Sequence, residues 1–271
     1  MLQSTFSKYL YVITIGFQNT FVYRWNFLLR VLFSLVPLIG TFYLWKAVFG
    51  SSKAEIAGYA FGNMVSYFLA LLVLDSLTTP TEDDFQIAAE IRDGLINQFL
   101  LKPVNYLAYR FSLFWSYRMI YTSTTILPIF VILWIMKDYL ILPTSPLTWF
   151  LIALSTLLSA TLQFLLSYCL ALLAFWILDV SASIFIVFSI EYLAGGHVFP
   201  LDLLPSWLYW LLMATPFPYE YWLPLGIFMK RFETNALIFG LGMQIFWCLA
   251  FWKLAKWIWS RGIRHYTAVG G

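Results

Sequence analysis

Residues 147–178 form an apolar run that contains no charged side chain. A helix of about 18 or more such residues is long enough to cross the ~30 Å hydrocarbon core of a bilayer. The whole chain shares this character, since 62% of its 271 residues are hydrophobic and only 11% are charged. Soluble domains are about a quarter charged. The sequence therefore predicts an integral membrane protein and excludes a soluble fold.

The apolar stretches predict an all-α, polytopic membrane protein with six transmembrane helices in a single domain over residues 1–271. The six spans are expected at about residues 25–45, 56–77, 107–136, 147–178, 182–193 and 235–252. The fifth is short, because a helix over 182–193 is only about 18 Å long. It either continues past Gly195 and Gly196 or stops within the membrane.

Two further segments are predicted to lie at a membrane surface. Residues 1–23 place apolar side chains at helical spacing, which predicts an interfacial helix or, alternatively, an extension of the first span. Residues 195–230 are rich in proline, and the apolar piece 203–214 within them is too short to span. We expect this piece to form an interfacial or re-entrant helix packed against protein, on the extracytoplasmic side.

The basic residues predict the orientation of the chain. With six spans both termini lie on the same side, which would hold eleven of the sixteen Lys and Arg residues, against five on the other side. Cytoplasmic loops carry the excess of Lys and Arg in membrane proteins. Both termini are therefore expected in the cytoplasm.

The segment 79–105 holds the densest charge in the chain. Thr81 is a suitable helix N-cap, and acidic residues follow it in the first turn, where the helix dipole favours them. Apolar residues on the same helix include Phe85 and Ile91, and Gly94 would end it. An amphipathic helix of this kind either docks on another protein or lies solvated against its own membrane domain.

Two stretches, EIRDGLINQFLLKPVNYLAYR and EYLAGGHVFPLDLLPSWLYWLLMATPFPYEYWLP, resemble the ABC type-2 permease family. The resemblance covers essentially the whole chain and is closest to the small six-span bacterial permeases. It implies a permease subunit of an exporter in the bacterial inner membrane, working with separate ABC ATPase subunits and a second permease, identical or different. The cargo would be hydrophobic, amphipathic or drug-like.

The same resemblance assigns roles to particular residues. The cytoplasmic loop after the second span would contact the ATPase, and the segment after the fifth span would form an outward-facing gate. The implied ATPase-coupling residues are Glu82, Asp83, Asp84, Glu90, Arg92, Asp93 and Gly94. The gate or pathway candidates are Glu191, Gly195, Gly196, Phe199 and Pro200.

Glu191 is singled out by its position, because a carboxylate inside a span is costly and is by default a functional candidate. It would face the pathway, pair with a basic group such as Arg118, hydrogen-bond near the gate, or fix helix packing as a structural acid. Asp75 is interpreted as a residue that caps or anchors its helix. His197 has no ligand partners at metal spacing, so no metal site is predicted.

No Walker A sequence occurs, since no Gly-Lys pair is followed by Ser or Thr. This chain is therefore expected to hold no cofactor, with ATP and Mg²⁺ bound by the partner ATPase. Nucleic acid is not an expected partner, because the basic residues are scattered, whereas membrane lipid is. The alternative functions are a channel or gradient-driven carrier and, with less support, a membrane enzyme acting on lipid, since no catalytic arrangement is found.

Overall fold

The computed structural model describes residues 24–50, 55–78 and 83–266. The predicted interfacial helix over 1–23 lies outside the described residues, as do Thr81 and Glu82. The described part of the chain is helical and contains no β-strand beyond one isolated bridge between Ile56 and Tyr59. The all-α prediction is confirmed.

The α-helices are numbered in chain order. They are α1 (Arg24–Phe49), α2 (Phe61–Thr78), α3 (Asp83–Arg92), α4 (Asn97–Leu100), α5 (Tyr106–Ile135), α6 (Pro146–Ala171), α7 (Ser181–Ala194), α8 (Ser206–Met213), α9 (Trp222–Phe228) and α10 (Thr234–His265). Short 3-10 turns connect some of them, and the turn Leu172–Phe175 continues α6 without a break.

Four of these helical segments are long and apolar enough to cross a membrane. They are α2, α5, α10 and the combined segment Pro146–Phe175. Val36–Phe49 within α1 and the whole of α7 are shorter apolar helices. The chain is thus a multi-pass membrane protein, whereas the total of six spans remains a prediction.

The start of α2 and the end of α10 differ from the bounds of the predicted spans. α2 begins at Phe61 rather than near Ile56, because residues 56–59 form a tight turn in which Ala57 and Gly58 have φ angles of 49° and 75°. α10 continues to His265, well past the predicted end near residue 252. A hydropathy pattern ends a span at the first charged residues, but helical hydrogen bonding continues beyond the hydrocarbon.

The bundle is organised around α6, which packs against α10, α9, α3 and α2. α5 packs against α1 and α2 on another side. α6 and α10 approach closely near one end, where Gly262 faces the ring of Phe175 and an added Cβ would lie 2.6 Å from its Cγ. Glycine permits this approach because it has no Cβ.

One end of the bundle gathers the charged loop. We call it the charged-loop end, and it comprises residues 83–105 together with the last turns of α6 and α10. Ile87, Ile91 and Ile96 are buried there in one apolar cluster with residues of α5, α6 and α10. The α3 segment is therefore part of the folded bundle and does not extend freely into solvent.

The proline-rich segment contains two short helices with different surroundings. α8, within the predicted piece 203–214, exposes Trp207, Trp210 and Leu211, and only Met213 is buried. α9, which the apolar pattern did not predict, is buried over Trp222–Ile227 and packs against α6 and α2. The element of this segment that enters the protein core is α9.

Candidate functional site

The α3 helix is fastened to α5 by a buried ion pair. Glu90 pairs with Arg110, whose side chain is 1% exposed, and Glu90 Oε2 also accepts a hydrogen bond of 2.7 Å from the Tyr106 hydroxyl. A second contact comes from Arg110 Nη1, which donates to Gln86 Oε1 at 3.2 Å. An arginine taken out of water needs such a partner, because its charge cannot be lost near neutral pH. Glu90 therefore faces the bundle and holds α3 in place.

The other candidate coupling residues divide into buried and exposed groups. Asp84 is 2% exposed, and its Oδ1 accepts from the Phe85 amide at 2.9 Å. Arg92 and Asp93 are each about half exposed and pair with each other at 2.9 Å. Glu82 lies outside the described residues, and for Asp83 only the backbone, at the start of α3, is described.

The turn after α3 presents a solvent-facing tip. Gly94 has a φ of 78°, a left-handed conformation that favours glycine, and the chain reverses there. Leu95, Leu100 and Leu101 are 53%, 47% and 88% exposed. We call residues 92–102 the loop tip, since they combine exposed charges with exposed leucines on an anchored base.

A second polar site lies inside the bundle, around Glu191. Its side chain is almost fully buried on α7, and the buried carboxyl group of Glu220, which precedes α9, lies at the same site. Gln163 of α6 lies between them, with its amide nitrogen 3.3 Å from Glu191 Oε2. Turning this amide by 180° lets the nitrogen donate to both carboxyl groups. Two buried carboxyl groups that share one site favour a state in which one of them carries a proton.

The polar contacts continue from this pair toward α10. Gln244 Nε2 donates to the carbonyl of Tyr219 at 2.7 Å and to Ser155 O and Ser159 Oγ, both at 3.0 Å. Ser155 Oγ in turn donates to Gln244 Oε1 at 3.1 Å. Ser155, Ser159 and Gln163 thus lie on one face of α6 and bond to neighbouring elements. These bonds join α6, α10 and the proline-rich segment.

Gly195 and Gly196 lie where the chain leaves α7. Gly196 has a φ of 100°, and its carbonyl accepts a hydrogen bond from the Tyr67 hydroxyl at 2.6 Å. A Cβ added at Gly196 would lie 2.8 Å from the oxygen of the Tyr67 hydroxyl. A Cβ on Gly195 would lie 2.8 Å from the carbonyl of Glu191. Both positions therefore require glycine, and they end α7 beside the carboxyl pair.

His197 follows the glycine pair and contacts two aromatic rings. Its ring stacks on Tyr192 at 4.8 Å between centroids and lies 3.9 Å from the ring of Tyr221. His197 Nε2 is 3.3 Å from Asp75 Oδ1. Asp75 thus contacts the gate region, whereas the sequence predicted a residue that caps or anchors its own helix. Arg118 donates instead to the Ser76 carbonyl, at 3.2 Å, and is not the partner of Glu191.

Phe199 and Pro200 precede a group of hydrogen-bonded polar residues at the end of the bundle opposite the charged loop. Phe199 packs on the large apolar core, and Pro200 precedes the turn Leu201–Leu203. Asp202 in that turn accepts from Arg231 Nε at 2.7 Å and from the Tyr59 hydroxyl at 3.1 Å. Burial and the neighbouring Asp202 carboxylate raise the pKa of Tyr59 above its ordinary value, so the hydroxyl stays protonated and donates.

Sequence reasoning missed Glu220, the partner of Glu191. The sequence did contain a signal for this role, because Glu220 lies in an apolar segment interrupted by prolines, where an acidic side chain needs a partner. Within the described residues, no group of three or more His, Cys, Asp or Glu side chains is placed to hold a metal ion. Cys169 and Cys248 are free and buried.

Long apolar helices, polar groups paired within the bundle and a charged segment anchored at one end define a polytopic α-helical membrane protein. Its family follows from sequence comparison. A family model described as ABC-2 family transporter protein matches residues 35–270, and the chain belongs to this family. Members are transport components that associate with ABC ATPases and are not themselves enzymes. No curated protein is similar enough in sequence to count as a match.

Proposed function

We propose that this chain is the membrane-spanning permease subunit of an ATP-binding cassette exporter. ATP and Mg²⁺ bind to separate ATPase subunits, and the chain moves a hydrophobic, amphipathic or drug-like solute outward across a bacterial inner membrane. It crosses the membrane six times, with both termini in the cytoplasm. Family membership and the predominance of basic residues at the charged-loop end support this assignment.

The observation that carries the proposal is the construction of the charged segment between α2 and α5. Its base is buried and fastened through Glu90 to Arg110, whereas the loop tip exposes charges and leucines. When an ATPase bound to the loop tip moves, the rigidly packed base of the segment passes that displacement on to α5 and α6. A solvated loop without a role needs neither the buried ion pair nor the exposed leucines.

The proposed gate is the junction of α7 with the proline-rich segment. Gly195 and Gly196 end α7 after about 21 Å of helix, short of the ~30 Å hydrocarbon core. Glu191 and Glu220 lie on the two sides of this junction, and the Gln163 amide lies between them. Glu191→Gln should then lower transport, and full transport by this variant would remove Glu191 from the gate.

A second permease completes the proposed assembly. Phe185, Ile186 and Leu193 of α7 are 74%, 57% and 60% exposed, and they provide an apolar face for either lipid or another permease. Whether the two permeases are identical is answered by the composition of the purified complex.

The central test is copurification of the tagged chain, followed by a comparison of two matched variants. The wild-type chain should retain an ATPase that carries a Walker A sequence. Leu101→Asp, at an 88% exposed leucine of the loop tip, should lower the amount of bound ATPase about tenfold or more, as at an interface hot spot.

Leu142→Asp changes an exposed leucine at the opposite end and should leave ATPase binding unchanged. The proposal would be contradicted if the wild-type chain did not copurify with an ATPase, or if transport continued when the ATPase is absent. Equal losses in the two variants would remove the loop tip from the interface.

A further inference from the structure

A cavity of about 300 Å³ opens at the charged-loop end, between the α4–α5 connection and α10. Its walls include Lys102 from the loop and Lys256 from α10, with aromatic surfaces from Phe99, Tyr106 and Trp259. The volume is about ten times the ~30 Å³ that one water molecule occupies in the liquid. The cavity can therefore hold a ligand larger than a few waters.

The lining of this cavity is positively charged. Two lysines and no carboxylate residue line it, and neither lysine forms an ion pair with a described residue. The Lys102 ammonium lies 5.6 Å from the Phe99 ring, and that of Lys256 lies 5.1 Å from the Trp252 ring. The first residues of α5 also line the cavity, and the start of a long helix adds partial positive charge. The carboxylate of Glu90 is already paired with Arg110.

A buried tyrosine with an unpaired hydroxyl group also lines this cavity. Tyr168 lines it and is 1% exposed, yet its hydroxyl has no hydrogen-bond partner within the described part of the chain. Buried polar groups are nearly always paired in native proteins, by protein, water or ligand. A hydroxyl donor in a cavity that two lysines also line suits an anion that has several acceptor oxygens.

We propose that this cavity binds the phosphate of an anionic phospholipid head group from the leaflet at the charged-loop end. A lipid is favoured over a free phosphate because Val104, Leu107 and Ala255 line the same cavity and provide an apolar wall for the rest of a lipid molecule. Basic sites between membrane helices on the cytoplasmic side suit such head groups. Because Phe99 and Lys102 belong to the loop, a bound lipid also holds the loop against α10.

The test measures lipid retention by native mass spectrometry on the full-length chain, purified with its copurifying subunits and given equal phosphatidylglycerol and phosphatidylcholine. The wild-type protein should retain phosphatidylglycerol preferentially. Lys102→Gln and Lys256→Gln should each weaken this retention about fivefold, the effect of one basic residue near an anionic surface. Lys253→Gln is the matched control, because Lys253 is exposed on the same helix and does not line the cavity.

Tyr168→Phe removes only the unpaired hydroxyl and tests the site even if the lysine variants fail to fold. It should weaken phosphatidylglycerol retention about fivefold, the effect of one lost hydrogen bond. Equal retention of the two lipids by the wild-type chain would overturn the proposal, as would an equal loss in Lys253→Gln. Displacement of phosphatidylglycerol by millimolar glycerol phosphate would show a site for soluble phosphates and would overturn the assignment to lipid.

Discussion

Removing the carboxylate of Glu90 should release α3 from the bundle. Glu90→Gln leaves Arg110, at 1% exposure, with a buried charge and no counter-ion. Breaking a buried pair from one side costs about 3–5 kcal/mol, and the lower figure applies here because Glu90 is itself 15% exposed. Opening of α3 should therefore become easier by about 3 kcal/mol, which makes amide exchange through that opening roughly a hundredfold faster.

Hydrogen–deuterium exchange on peptides covering Asp83–Arg92 measures this effect. Arg92→Gln is the control, because the pair of Arg92 with Asp93 is about half exposed and should change exchange by no more than about twofold. Replacing both partners, as Glu90→Leu with Arg110→Met, should restore most of the protection, since apolar pairs of similar size are often tolerated. Wild-type exchange in Glu90→Gln would refute the anchoring role of the ion pair.

Two further predictions concern the interior of the bundle. Gly262→Ala, whose Cβ would lie 2.6 Å from Cγ of Phe175, should destabilise the protein by about 1–3 kcal/mol, seen as a lower midpoint in a thermal size-exclusion assay. Gly242→Ala on the same helix meets no atom within 4 Å, so it should be neutral or stabilising by up to about 1 kcal/mol; equal effects would contradict the close-approach argument. Glu220→Gln should be tolerated within about 1 kcal/mol, because a neutral amide replaces a carboxyl group that can carry the shared proton, whereas Glu220→Leu should cost about 1–3 kcal/mol by leaving its partners unpaired. A larger loss of thermal stability in the glutamine than in the leucine variant would argue against a shared proton.

The apolar pattern predicted the long helices well, for a physical reason. A membrane requires long uninterrupted apolar helices, so α5 and α6 begin close to their predicted starts at residues 107 and 147. The end of α10 was not predictable from hydropathy, because the helix continues as an amphipathic segment with Lys256 and Arg261. α9 was missed because it is short and carries proline, and its burial comes from tertiary contacts with α6.

The polar pairings were harder to predict than the helices. Glu90 was interpreted as a residue for contact with the ATPase, and the structure turns it toward Arg110. The position of Arg110 in an apolar stretch was a usable signal, since a buried arginine requires a counter-ion. The pairing of Glu191 with Glu220 depends on how α9 returns into the bundle, which no local pattern of residues specifies.

The network around Gln244 has a consequence for how the proposed exporter could open. Any separation of α6 from α10 must break its bonds to Ser155 and Ser159 together, in surroundings where water cannot replace them. Among the described residues, α7 is joined to α6 by one hydrogen-bonding side chain, Gln163, which contacts Glu191, and the hydroxyl of Ser189 on the exposed side of α7 bonds to its own helix, at the Phe185 carbonyl. Movement should therefore begin along α7, while α6 and α10 stay together as the stationary wall.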